Sequence, residues 1–502
     1  MKAAILFCAL FIYHGIVAQD KFKCPCDKIG LDVKWAAENK VNCYFMSVPR
    51  DGSAASGKHN LAVAVAEAKS NASAREPLLY LHGGPGIATL GNLPKYLKSK
   101  TWDRMREDRP LVFFDYRGTG ESEPLLCPGL DKTLAEASTK MSPAEVNTLK
   151  LELLRKCRAA HLAEGIDIAS FSSHQSAQDA NAVRLNLNIP TWSVYGVSHG
   201  TTVALNLLRD HAKSVNAMIL DSPFPPNAPW LDFVRPFAVS FENLEQKILE
   251  DPNAAARFPT IRKSFANAYD SLNKEPLQIA VDNKGNTRPF TGNDFAWSIW
   301  NALLKPIALP VVPLAITEFE KRNASIVMPW MMSFSDPNGF GKFSEYQSKA
   351  ILCFEGGPRS ADDTKDALAR KYPEFAAFNM DFEDELCAAW QPKGAPASAF
   401  LPVSSDVPVL VISGEYDPVC PPVFGELTAK TLSRSTFVTV PAASHAAIHA
   451  DDCMRDLAIG FLAQPGAAVD TQCVANRPKV SFVTQDLASA LEKVKKESAA
   501  KK

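Results

Sequence analysis

Five residues, Gly196-Val197-Ser198-His199-Gly200, constrain this chain more than any other stretch. They follow an apolar run, Trp192 to Tyr195, and precede a helix-forming segment, Thr201 to Asp210. A G-x-S-x-G between a buried strand and a helix predicts a sharp turn with the serine at its tip. Glycine is needed on both sides because the turn leaves no room for side chains. The serine hydroxyl then sits at a helix N-terminus, where backbone N–H groups and the helix dipole favour developing negative charge. An ordinary turn can carry this pattern by chance, so the flanking strand and helix give it its weight.

The surrounding chain predicts a sheet to hold such a turn. Leu78 to Leu81, Leu111 to Phe114, Trp192 to Tyr195 and Met218 to Leu220 read as short buried strands alternating with helical patterns. That alternation implies a largely parallel sheet with helices on both faces. From about Pro223 to Leu401 prolines and aromatics dominate, and Phe241 to Leu249 and Thr364 to Lys371 look helical. Strand character returns at Val407 to Ile412 and at Thr436 to Val440. The expected organisation is a leader over 1–18, a core over 19–222, a helical insertion over 223–401, the second part of the core over 402–485 and a charged tail over 486–502.

Glycines also crowd His82-Gly83-Gly84-Pro85-Gly86, directly after the Leu78–Leu81 strand. Such a loop can fold against the serine and present a backbone N–H, from Gly84, to an oxyanion, with the N–H of His199 as the second donor. An acid and a histidine should then follow, in that order. Gly414-Glu415-Tyr416-Asp417-Pro418 ends the Val409–Ile412 strand, where functional loops of parallel sheets lie. Asp417 is the better acid and Glu415 the fallback. Of the histidines, His82 and His199 sit in the glycine motifs, and His449 is expected within the next helix. His445, after the strand ending near Val440, is therefore the expected base. Ser198, Asp417 and His445 together specify nucleophilic acyl transfer. No metal or organic cofactor is implied.

Lys+Arg 54 against Asp+Glu 55 leaves a formal net charge of -1, which gives no support to nucleic-acid or bulk membrane binding. The lysines around Lys493 to Lys502 read as a solvated helix end. Lys2, the apolar run Ala3 to Ile12 and the small Ala18 form a secretory signal pattern, with cleavage expected near Ala18 and a secreted or periplasmic product. No later stretch is long and apolar enough to span a membrane. Setting Cys8 in the leader aside leaves ten of the 11 cysteines, an even number that suggests disulfides in an exported chain. Proximity favours Cys127 with Cys157, Cys353 with Cys387, Cys453 with Cys473, and Cys43 with either Cys24 or Cys26. Metal binding at Cys24-Pro25-Cys26 is disfavoured by its tight spacing and lack of histidine partners. Asn71 and Asn323 begin glycosylation sequons.

With these residues assembled, the chain resembles a known group. His82-Gly83-Gly84-Pro85-Gly86, Asp115-Tyr116-Arg117-Gly118-Thr119-Gly120-Glu121-Ser122, Tyr195-Gly196-Val197-Ser198-His199-Gly200-Thr201, Asp417-Pro418-Val419-Cys420-Pro421-Pro422 and Ser444-His445 are similar to the prolyl-aminopeptidase and tripeptidyl-aminopeptidase branch of the α/β hydrolases. Cys453, Phe461-Leu462, Pro465, Asp470 and Cys473 extend the resemblance to about Cys43–Cys473. It implies an α/β-hydrolase fold with a helical cap, and a serine exopeptidase whose substrates are peptides with a free N-terminus. Ser198, Asp417 and His445 match the group's catalytic serine, aspartate and histidine. Four positions depart from its pattern. His199 replaces an aromatic such as tyrosine and could add a titrating group, Ile87 and Ala88 replace glycine-richer sequence, and Cys420 stands where threonine or serine is common. Cys420 is either an inert buried thiol or the partner of an N-terminal cysteine.

An aminopeptidase must bind an ammonium group, which calls for a carboxylate near the acyl pocket. Glu355 is the choice for that role, with Asp381, Glu383 and Glu385 as competitors. Trp297, Trp300, Trp330 and Trp390 could line a substrate pocket, although core packing is the commoner fate of tryptophan. Two other functions share the sequence: a secreted carboxylesterase using the same triad, and a binding protein on a hydrolase scaffold. The intact triad argues against the last.

Overall fold

A computed structural model describes residues 21–51, 57–70, 75–138, 140–229, 234–280, 287–323, 342–357, 359–375, 384–391 and 393–485. The leader, the first sequon, Ala324 and Ser325 of the second, Trp330, Asp381, Glu383 and the tail lie outside the described residues.

The strands are β1 (Lys21–Cys24), β2 (Val41–Pro49), β3 (Lys58–Ala66), β4 (Leu78–Leu81), β5 (Leu111–Phe114), β6 (Trp192–Val197), β7 (Val215–Asp221), β8 (Leu277–Ala280), β9 (Thr287–Phe290), β10 (Val409–Gly414) and β11 (Ser435–Val440). Nine of them form one sheet in the order β1-β2-β3-β5-β4-β6-β7-β10-β11. The pairings from β5 through β11 are parallel, and β1, β2 and β3 add antiparallel pairings at one side. The expected mostly parallel sheet is there. The antiparallel entry strands are a feature that sequence reading missed.

Central strands are apolar on both sides, which is why they read as continuous runs rather than alternations. Tyr195, Val197, Ala217, Ile219, Leu410 and Ile412 pack on one face with Trp102, Met454 and Phe461. Trp192, Val194, Met218, Leu220, Val409 and Val411 pack on the other with Ala177, Val183, Val203 and Leu207. Each fully buried side chain of this size contributes about 1.5–3 kcal/mol. The consequence for function is positional: helices on both faces hold the sheet flat-on, so its strand ends present loops at one rim.

Between β7 and β10 the described elements are mostly helices, including Val234–Glu250, Ile261–Lys274, Gly292–Leu303, Val312–Glu320, Glu345–Glu355 and Asp384–Trp390. They also contain the hairpin β8–β9, which the sequence did not signal. Phe237, Phe241, Phe265, Phe295, Phe319 and Phe375 give the first helices of this segment a core of their own. The Glu345–Glu355 and Asp384–Trp390 helices pack instead around Trp390, Phe171 and Leu154.

Among the described residues four disulfides close the fold: Cys26–Cys43, Cys127–Cys157, Cys353–Cys387 and Cys453–Cys473. The choice left open at Cys43 falls on Cys26, and Cys24 and Cys420 are free thiols. Cross-links of this kind fit a chain that matures in an oxidising compartment outside the cytoplasm. Among the described residues no helix is long and apolar enough to cross a membrane.

Candidate active site

Strand order decides which loops meet. β4 and β6 are neighbours, with Leu81 opposite Gly196, so the glycine loop after β4 lies beside the turn after β6. Ser198 ends that turn at φ 55°, ψ -127° and stands as the N-cap of helix His199–His211. A non-glycine residue at positive φ outside the left-handed basin is strained, and such strain clusters at functional sites.

The glycines around it are dictated by contact. A Cβ on Gly196 would come within 2.7 Å of Gly200 O, and one on Gly200 would overlap Leu81 O. Gly83 lies against the serine, where a Cβ would meet Ser198 Cβ at 3.0 Å. Gly200→Ala is accordingly expected to destabilise the fold by at least about 3 kcal/mol, because backbone, not a movable side chain, blocks the added methyl. The shift of the urea unfolding midpoint measures it.

Asp417 and His445 come together as the sequence anticipates. His445 Nδ1 lies 2.8 Å from Asp417 Oδ2. The carboxylate can only accept, so Nδ1 carries the proton and Nε2 is left as the basic atom. The other carboxylate oxygen accepts from Val419 N at 2.8 Å and Cys420 N at 2.9 Å. Burial opposes the charge on Asp417, but the His445 charge and these bonds outweigh it and hold the carboxyl below its usual range. Burial likewise opposes an imidazolium at His445, and the charges of Asp417 and then Asp221, with the Asp417 bond, carry its pKa above the ordinary 6.5.

Because a base must be neutral, turnover is expected to fall as pH drops through that raised value. Asp417→Asn removes the charge and should move the acid limb of kcat to lower pH, while kcat itself falls by about 10,000-fold. Rate measurements against pH on both proteins check the direction and the size.

Glu415 does not share this place. Its carboxylate accepts from Ala442 N at 3.0 Å and faces Lys247, so it staples the loop instead. His449 lies in the next helix, the short 3-10 turn Ala447–His449, beside Tyr195 OH at 3.3 Å. Burial pushes it down to about 4, as it does His82.

Several contributors were missed by sequence reading. Asp221, at the end of β7, is fully buried and holds the His445 loop by accepting from Ala447 N at 2.8 Å and Ile448 N at 3.1 Å. Its strand end was visible in the sequence, but nothing there marked its use. Asp115 accepts from Leu90 N at 2.8 Å and Glu121 N at 2.9 Å, tying the two glycine loops together. Helices of the segment after β7 clamp the acid and histidine loops: Ser240 Oγ donates to Tyr416 O, Trp300 Nε1 to Pro418 O, and Ser444 Oγ to Leu303 O. Trp300 thus meets the site from outside, Trp297 is partly buried beside it, and Trp390 is core.

His199 is fully buried, and burial followed by the His82 charge lowers its pKa to about 3, so it is neutral at working pH. The titrating group anticipated there is absent. Its Nε2 lies 3.0 Å from Ser173 Oγ, which donates to Glu355 Oε2 at 2.7 Å, while Ser173 N reaches Glu355 Oε1 at 2.5 Å. Glu355 is therefore one serine away from the residue that follows Ser198. Burial raises its carboxyl to about 7 against the pull of those bonds. The competing Glu385 is exposed. A cavity of about 580 Å³ is lined by residues that include Glu355, Ser172, Gln175, Asn206 and Arg209, and not by Ser198, Asp417 or His445.

The glycine loop is closed by residues 342–344. Ala88 N donates to Lys342 O at 2.9 Å and Ser344 N to Gly86 O at 2.8 Å, which accounts for the buried Ile87 and Ala88 in a place where more glycine was expected. Cys420, finally, is neither paired nor remote. It is fully buried, with its sulfur within 4.8 Å of ligating atoms of Asp417 and His445.

Residues 76–312 match the family described as alpha/beta hydrolase fold, and residues 373–473 match the family described as TAP-like protein. The serine protease Hip1 of Mycobacterium tuberculosis is 23% identical over 413 residues, spanning 76% of this chain and 77% of that one. A tripeptidyl aminopeptidase of Streptomyces coelicolor is 28% identical over 206 residues, 38% of this chain and 37% of its own. A probable proline iminopeptidase of Leptolyngbya boryana is 21% identical over 403 residues, 78% and 88% of the respective chains.

Proposed function

The chain belongs to the α/β hydrolases and is a hydrolytic enzyme, and on that premise we propose that it is a secreted serine exopeptidase cutting near free peptide N-termini. Ser198 attacks the carbonyl while His445 Nε2 takes its proton, and Asp417 orients and stabilises the imidazolium. The N–H groups of Gly84 and His199 hold the oxyanion. His445 then protonates the leaving amine and activates water against the acyl-enzyme. The observation that carries this reading is the 2.8 Å bond between His445 and Asp417, with Asp221 bonding both the His445 loop and the backbone of the strained Ser198.

The peptide assignment rests on the kinship with peptidases and on Glu355. We place the substrate ammonium on the Glu355 side of the site, under a cap formed by residues 223–401. Signal cleavage near Ala18 would deliver the enzyme to the periplasm or the medium. Glu355→Gln is expected to raise KM for free peptides about tenfold or more, the worth of a charged hydrogen bond, and to spare ester hydrolysis.

One observation favours the esterase alternative: both Glu355 oxygens already bond Ser173. Free and N-blocked peptide amides of one to three residues, assayed beside short acyl esters, separate the two. Cleavage of free peptides with N-blocked ones spared is the expected outcome; activity restricted to blocked peptides or esters would overturn it.

A further inference from the structure

No step of acyl transfer uses the Cys420 thiol, yet it occupies the centre of the site. Asp417, Cys420 and His445 each present a metal-ligating atom, all within 4.8 Å of one another. We propose that the site captures a soft divalent cation, Zn2+ or Cd2+, on Cys420 Sγ and His445, and that this capture inhibits the enzyme.

The ligand set follows from the bonds already made. Asp417 accepts from His445 Nδ1, which leaves Nε2 free to coordinate while the carboxylate orients the ring. This is the carboxylate–histidine–metal arrangement that raises ligand basicity. Sulfur at about 2.3 Å and nitrogen at about 2.0–2.1 Å satisfy half of a tetrahedral zinc shell. Water completes it. Thiolate with imidazole selects Zn2+ or Cd2+ over Mg2+ or Ca2+. On binding, the thiol loses its proton to solvent. The His445 side chain keeps 22% exposure, which gives the ion a way in. A cation on Nε2 occupies the lone pair that would take the Ser198 proton, so turnover stops without any covalent change.

The inhibition half rests on the reading of Ser198 and His445 given above; the binding half does not. The full chain, freed of metal by chelator, is titrated with Cd2+ while the thiolate-to-cadmium charge-transfer absorption is followed. Wild type, Ser198→Ala, Cys420→Ser and Cys420→Ala are compared. Cys24, the other described free thiol, is common to all, so the difference spectrum isolates Cys420. The expected result is a one-equivalent band in wild type and Ser198→Ala that both Cys420 variants lack. Zn2+ should inhibit wild type reversibly, and the Cys420 variants, each scaled to its own metal-free rate, should need at least about 100-fold more. Equal Zn2+ sensitivity in those variants, or a wild-type spectrum indistinguishable from theirs, overturns the proposal. A Cd2+ band alongside full activity in Ser198→Ala would instead sink the catalytic reading and leave the metal site standing.

Discussion

Replacing Ser198 by alanine is expected to lower kcat by a factor of about a million while leaving the unfolding midpoint close to that of wild type. The size follows from interdependence. His445 and Asp417 act only through the serine hydroxyl, so its loss removes the contribution of all three, and only the oxyanion donors and substrate binding remain. Stability should change little. The hydroxyl anchors no structural element, and the bonds that fix the turn run through the backbone, from Ser198 N to Asp221 O and from Thr201 N to Ser198 O. Steady-state kinetics beside a urea titration read both halves of the expectation.

The largest stability effect is expected outside the triad, at Arg117. Its guanidinium, 1% exposed, makes a two-pronged contact with the equally buried Asp179, at 2.7 and 2.6 Å. It also donates to Arg50 O and Pro49 O. The pair therefore ties the turn after β5 to helix Ser173–Asn186 and to the end of β2. Arg117→Met leaves a carboxylate buried without its partner, and the cost of breaking such a pair is about 3–5 kcal/mol. The double variant Arg117→Met with Asp179→Leu should recover much of that loss, because the penalty lies in the unpaired charge rather than in the absence of a bond. Urea midpoints of the three variants test this.

The site was legible in the sequence where chemistry forces both residue type and order. Ser198 needed glycines at fixed offsets, and Asp417 and His445 had to follow at later strand ends, so a linear reading could find them. Cys26 could not be chosen over Cys24, because the choice depends on the β1–β2 register, in which Cys24 stands opposite Cys43 while Cys26 bonds it. The roles of Asp221 and Asp115 were invisible because their work is to accept backbone N–H bonds from loops distant in sequence. Asp179 sits in a helix with no local sign that Arg117 will meet it. The β8–β9 hairpin is four residues per strand with five of its eight positions exposed, too short and too polar for periodicity to mark. Glu355 was singled out in the sequence, but nothing there showed that its carboxylate would bond Ser173.

The most direct test of the central claim is to find the acyl group. Mixing the enzyme with a free-N-terminus tripeptide ester, quenching in acid within the first turnover and mapping peptides by mass should place the tripeptidyl adduct on Ser198, with no adduct from the N-blocked ester. An adduct on another residue, or faster acylation by the blocked ester, would contradict the account.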